Sequence, residues 1–119
     1  MSKLEAAFSA TVTLKIKPPH LISESMNPSK AMFAHMAMGI SGEAGELLDA
    51  IKKHVVYGKP LDEVNVLEEL GDLEFYMEGL RQHLGVSREK ILQMNMEKLN
   101  KRYSGAYSDE EAAQRKDKL

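Results

Sequence analysis

The chain has 119 residues, of which 43% are hydrophobic and 29% charged, so one globular domain is expected and wholesale disorder is not. A net charge of −2 lacks the basic excess of a dedicated nucleic-acid binder, and the absence of cysteine excludes a disulfide framework or a thiolate zinc site. No apolar run approaches the roughly 18 residues of a membrane helix, and charges break the first residues where a signal peptide would carry its apolar core, so a cytoplasmic protein is expected.

In chain order, "TVTLKIK" (11–17) alternates, with Val12, Leu14 and Ile16 on one side. That pattern predicts a short strand, and one strand cannot stand alone. Residues 1–26 are therefore expected to form an arm, laid on the body or on a second subunit and ended by "PPH" (18–20). Asn27 can cap a helix and Pro28 suits its first position. Met32, Met36, Ile40, Ala44, Leu47, Leu48, Ile51 and Val55 then follow at helical spacing. Gly39, Gly42 and Gly45 interrupt this run, each at a cost of about 1 kcal/mol relative to alanine. They predict either a bend near 39–42 or the close approach of a neighbouring helix.

"YGKP" (57–60) reads as a turn, with the next helix starting near Asp62. Val66, Leu70, Leu73, Met77, Leu80 and Leu84 form a bundle-type seam that Gly85 stops. Ser87 caps a further helix running to about Arg102, with Ile91, Met94 and Leu99 inside. Ser108 and Glu111 read as a capping box opening a short polar helix. The fold class expected is all-α, an antiparallel helical bundle with short connections. The boundaries are 1–26 for the arm, 27–105 for the helical domain and 106–119 for the terminal helix and tail.

If the hairpin turns between Tyr57 and Gly58, residues whose numbers sum to about 115 lie at one height in the antiparallel pair. This pairs Leu48 with Leu67, Ile51 with Val64, Ala44 with Gly71 and Ile40 with Phe75, all apolar or small. It also pairs Glu43 with Asp72 and Glu46 with Glu69. Within each helix the two acids are three apart and share a face, beside the buried stripe marked by Leu47 and Leu73. An isolated Glu-x-x-Glu is usually a solvated helix face. Here the mirrored level would gather four carboxylates, and their repulsion calls for a proton, partner cations or a divalent ion. An all-carboxylate set suits Mg²⁺, Mn²⁺ or Ca²⁺. A di-iron bundle would need Glu-x-x-His, and none of His20, His35, His54 or His83 lies three after a glutamate.

"GEAGELLDAIKK" followed by "EELGDLEFYMEGL", with "NMEKLNKRY" downstream, resembles the MazG-like family of all-α nucleoside triphosphate pyrophosphohydrolases over roughly residues 28–105. The resemblance implies Mg²⁺-dependent cleavage of a nucleoside triphosphate to the monophosphate and pyrophosphate. It makes Glu43, Glu46, Glu69 and Asp72 the metal ligands, with Mn²⁺ as a substitute ion. Glu46 or Glu69 is the candidate to take the proton of the attacking water.

Asn95, Lys98 and Arg102 fall on one helix face and are candidates for phosphate oxygens, Arg102 bidentately. Lys53, two turns after Glu46, is expected to reach the same site. His35, Phe33, Met36, Tyr76 and Tyr103 are the pieces available for a base slot, although Met and Phe at this spacing more often form plain core. A hairpin and one more helix cannot cover both faces of the seam, so a homodimer or homotetramer is expected. The expected partner is a nucleoside triphosphate, with no nucleic-acid polymer and no membrane. A house-cleaning role on noncanonical or excess dNTPs is the leading reading. The rivals are a related enzyme on another diphosphate-bearing substrate such as phosphoribosyl-ATP, a non-catalytic helical adaptor for a basic partner, and a Ca²⁺-stabilised structural bundle, which the lack of an EF-hand loop disfavours.

Overall fold

The structure, a computed structural model, describes residues 1–118, so Leu119 of the expected tail lies outside the described residues. The chain divides into two compact units, residues 1–31 and residues 32 onward.

In the first unit the expected strand is absent. Residues Lys3–Lys15 form a helix, α1, followed by α2 at Pro19–Ser25. The cause is local. The Ser2 hydroxyl accepts the Glu5 N–H at 3.1 Å and the Glu5 carboxylate accepts the Ser2 N–H at 2.8 Å, so two otherwise orphaned donors are satisfied reciprocally. Thr11 and Thr13, which suggested a strand, turn their hydroxyls back onto the carbonyls of Ala7 and Ser9. In a helix Leu4, Phe8, Val12 and Ile16 fall at steps of four along one stripe, which the alternation had concealed. Pro19 occupies the first turn of α2, where its missing N–H costs nothing.

The third helix, α3, spans Pro28–Val55, α4 spans Glu63–Leu84, α5 spans Arg88–Arg102 and α6 spans Asp109–Gln114, with a 3₁₀ turn at Lys116–Lys118. The caps fall where the side chains predict them. Asn27 accepts the Lys30 N–H at 2.9 Å, Asp62 the Asn65 N–H at 3.1 Å and Ser87 the Lys90 N–H at 3.1 Å. Gly85 closes α4 in the left-handed conformation (φ 70°), which glycine adopts without strain.

In the second unit α3 and α4 meet in the predicted register. A Cβ on Gly39 would overlap the ring of Tyr76, and one on Gly79 would meet the Met36 sulfur. Both pairs obey the same numbering rule as Glu43–Asp72. Gly39 therefore serves close approach, whereas a Cβ at Gly42 or Gly45 would meet nothing within 4 Å, and α3 is one uninterrupted helix through residues 39–42.

The expected apolar pairings are only partly realised. Among the described residues the buried apolar side chains are Met36 and Ala50. Leu48 is 67% exposed, Leu67 63% and Phe75 69%, so the register is right while the stripe is unfilled within one chain. Leu70 and Leu84 of the α4 seam and Ile91, Met94 and Leu99 of α5 are likewise exposed. The buried Arg81 is held by Glu78 at 2.7 Å and Glu74 at 3.6 Å.

Beyond α5 the chain folds back. Ser108 caps α6 through the Glu111 N–H, as predicted. The Glu111 carboxylate mainly serves elsewhere, accepting the backbone N–H of Ser104 at 2.8 Å and its hydroxyl at 3.0 Å, which holds that carboxyl below the usual range. The reciprocal half of the expected capping box is thus replaced by a loop clamp.

Candidate active site

The α3–α4 hairpin delivers three carboxylates to one place. Glu43, Glu69 and Asp72 each offer an oxygen within 4.8 Å of the others. Glu43 and Glu69 are half-buried and Asp72 is exposed, so the cluster opens to solvent on the Asp72 side. Glu46, the fourth expected ligand, lies outside this group, although its charge still acts on Glu69.

Glu69 is the centre of the electrostatic problem. Its carboxyl is pushed up to about 7 by hydrogen bonding to Glu43, then by burial, then by the charges of Glu43, Asp72 and Glu46. Its Oε2 is buried without a hydrogen-bond partner. The two facts are consistent. Two ionised carboxylates have no proton to share, so one oxygen is stranded, whereas a proton between Glu43 and Glu69 pairs them. A divalent cation would satisfy the same oxygens while all three groups stay ionised. The donor set therefore fits an ion that takes oxygen ligands.

The other predicted residues are distributed as follows. His35 sits edge-on to Tyr76, ring centroids 6.1 Å apart, beside the Gly39 contact. Met36, with Met32, Phe75 and Gly79, lines an apolar cavity of about 410 Å³ further along the hairpin, which Glu78 and Gln82 border. Phe33 packs edge-on against His83 at 4.6 Å, and both lie apart from that cavity's lining. Lys53 is two turns from Glu46 on the turn side of the acids and pairs with Asp49 at 3.2 Å. Asn95 and Lys98 are exposed on α5, which packs on α6 and the 3₁₀ turn.

Arg102 is not a free phosphate fork in this structure. Its Nε and a terminal nitrogen donate to the two Asp117 oxygens at 2.9 and 3.1 Å. Asp117 is almost wholly enclosed, Arg115 adds a contact at 3.7 Å, and the carboxyl is held at about 2. Tyr103 is half-buried and packs against Tyr107, whose hydroxyl donates to Asp109. Sequence reasoning missed Asp117 because a contact across a chain reversal leaves no periodic trace. It also missed Lys59 and Asn65, which line a second cavity with Lys53.

A helical hairpin that brings glutamates and an aspartate from two helices within reach of one another is an all-α candidate site for an oxygen-liganded cation. Residues 32–105 match the MazG nucleotide pyrophosphohydrolase domain, and the chain belongs to that family. The matched segment contains all ten predicted site residues. No curated protein and no solved structure matches the chain. No helix among the described residues is long and apolar enough to cross a membrane.

Proposed function

We propose that the chain is a Mg²⁺-dependent nucleoside triphosphate pyrophosphohydrolase that releases a nucleoside monophosphate and pyrophosphate, and that it removes noncanonical or surplus dNTPs. The observation that carries this reading is the Glu43–Glu69–Asp72 cluster with its stranded Glu69 oxygen. Glu43, Glu69 and Asp72 would hold the ion directly, and Glu46 through water. When bound, Mg²⁺ supplies charge neutralisation on the phosphates and orientation of the attacking water, and Mn²⁺ fits the same donors.

The residues of the chain then have separable tasks. The reaction is in-line attack of a water oxygen on phosphorus, with departure of pyrophosphate, and it needs chiefly positioning and electrostatics. Glu46, which borders the cluster without belonging to it, takes the water's proton. Glu69, drawn into the Glu43 contact, is the weaker candidate for that step. His35 and Tyr76, with the apolar wall around Met36, supply a face for the nucleobase. Asn95 and Lys98 supply cationic and polar donors from α5. Arg102 and Tyr103 act through the folded-back C-terminal segment, Arg102 as its anchor.

The exposed stripe at Leu48, Val64, Leu67, Leu70 and Phe75 is the face a second copy would cover, giving a homodimer or homotetramer. Incubating a panel of canonical and modified NTPs and dNTPs with and without Mg²⁺, and identifying the nucleotide product, tests the activity. Monophosphate with Mg²⁺ only is expected. Diphosphate, or no product from any member of the panel, overturns the reading.

A further inference from the structure

The acid cluster occupies the middle of the α3–α4 hairpin, and the two directions away from it differ in chemistry. Toward residue 36 the wall is apolar, made by Met32, Met36 and Phe75, and the charged side chain that borders it, Glu78, is already paired with Arg81. Toward the turn lies a different cavity of about 290 Å³, lined by Ala50, Lys53, Lys59, Pro60, Asp62 and Asn65. Ala50 pairs with Asn65, and Lys53 with Asp62, in the register that pairs Glu43 with Asp72. Asn65 is one turn before Glu69, and Lys53 is two turns, ~10 Å of helix axis, past Glu46. The cavity is thus the next station along the hairpin face that carries the acids.

The two lysines are placed there by the backbone. The Lys59 N–H donates to the Lys53 carbonyl at 3.2 Å, and the His54 Nδ1 bonds the Lys59 carbonyl at 2.8 Å. Gly58, at φ 66°, permits the reversal. The loop is pinned at both backbone groups of Lys59, so that residue is held over the end of α3 beside Lys53. Two acids stand nearby. Asp62 is engaged as the α4 cap, accepting the Asn65 N–H at 3.1 Å. Asp49 pairs with Lys53, with both side chains more than half exposed, an ion pair weak enough for a polyanion to displace.

We infer that this cavity receives the pyrophosphate end of the substrate, with Lys53 and Lys59 as its cationic contacts, Asn65 as a polar one and His54 as a positioning residue for the Lys59 loop. The inference rests on the nucleoside triphosphate reading above and gives the substrate a direction. The nucleoside lies toward Met36 and Tyr76, the scissile phosphorus at the acids, and the departing pyrophosphate toward the turn. The opposite direction would bring the most highly charged end of the substrate against an apolar wall whose lining offers no cationic side chain.

Product inhibition in the full chain with Mg²⁺ tests this, with inorganic pyrophosphate and nucleoside monophosphate as separate inhibitors. The K53A/K59A double variant should raise the inhibition constant for pyrophosphate by roughly tenfold and leave that for the monophosphate within about twofold. His54→Ala should shift pyrophosphate inhibition the same way by less, and Asp49→Asn should strengthen it. Lys52→Ala, which removes one positive charge next to Lys53, controls for bulk electrostatics when compared with Lys53→Ala alone. An unchanged pyrophosphate constant in the double variant, an equal shift for the monophosphate, or an effect of Lys52→Ala equal to that of Lys53→Ala overturns the assignment. If the wild type hydrolyses no triphosphate, the functional reading fails, and calorimetric titration of magnesium pyrophosphate decides the site separately. Binding lost in the double variant upholds it, and equal or absent binding rejects it.

Discussion

Proton release on metal binding should report Glu69 directly. With the Glu69 carboxyl at about 7 through its contact with Glu43, the pair should hold a proton in about half of the metal-free molecules at pH 7, in more at pH 6 (roughly nine-tenths) and in fewer at pH 8 (about a tenth). Binding of Mg²⁺ requires the ionised form, so the proton must leave. Titrating Mg²⁺ into weakly buffered protein with a pH indicator should therefore release close to half a proton per site at pH 7, about 0.9 at pH 6 and about 0.1 at pH 8. Glu69→Gln keeps the volume and removes the titration, and it should abolish both the release and Mg²⁺-dependent turnover.

The sign also fixes the stability profile of the metal-free protein. Between the ordinary glutamate range and about pH 7 the folded state holds a proton that the unfolded state has lost. Stability therefore falls as pH rises through that window, and Mg²⁺ restores it above pH 7. In Glu69→Gln this decline should vanish and metal-free stability at pH 8 should rise. Release that does not vary with pH, or persists unchanged in Glu69→Gln, would refute the reasoning.

Three other expectations follow from packing. Gly39→Ala must displace the Tyr76 ring and should destabilise by about 1–3 kcal/mol in urea unfolding, whereas Gly79→Ala meets only the flexible Met36 sulfur and should cost less. Asp117→Asn breaks the paired bonds to Arg102 and should lower Tm by roughly 5 °C at pH 7. The difference from wild type should disappear as pH falls from about 4 to about 2, because the Asp117 carboxyl is held low and its contribution is lost as it protonates. Leu48→Lys with Leu67→Lys places charge on the exposed stripe and should reduce the assembly to monomers by light scattering. An unchanged mass would remove the proposed interface.

Most of the helical part of the fold is legible from residues that act locally. Asn27, Asp62, Ser87 and Gly85 end helices through one or two bonds to their own neighbours, so their identity suffices. The hairpin register is legible because small residues must face large ones, and Gly39–Tyr76 and Met36–Gly79 obey it. The N-terminal helix was hidden because Thr and Val in alternation favour a strand, and the Ser2–Glu5 box outweighs that preference. Burial of Leu48 and Leu67 could not be read from the pattern, since periodicity marks an apolar face without saying what covers it. In the site, spacing brought Glu43, Glu69 and Asp72 together. It could not show that Glu46 stays outside that group, or that Arg102 is taken by Asp117.

Anomalous scattering from crystals grown with Mn²⁺ and a non-hydrolysable nucleoside triphosphate would locate the cation itself. A peak is expected among the carboxylates of Glu43, Glu69 and Asp72, within about 2.3 Å of at least two of their oxygens. Density for the metal elsewhere, or none at these side chains with nucleotide bound, would contradict the account.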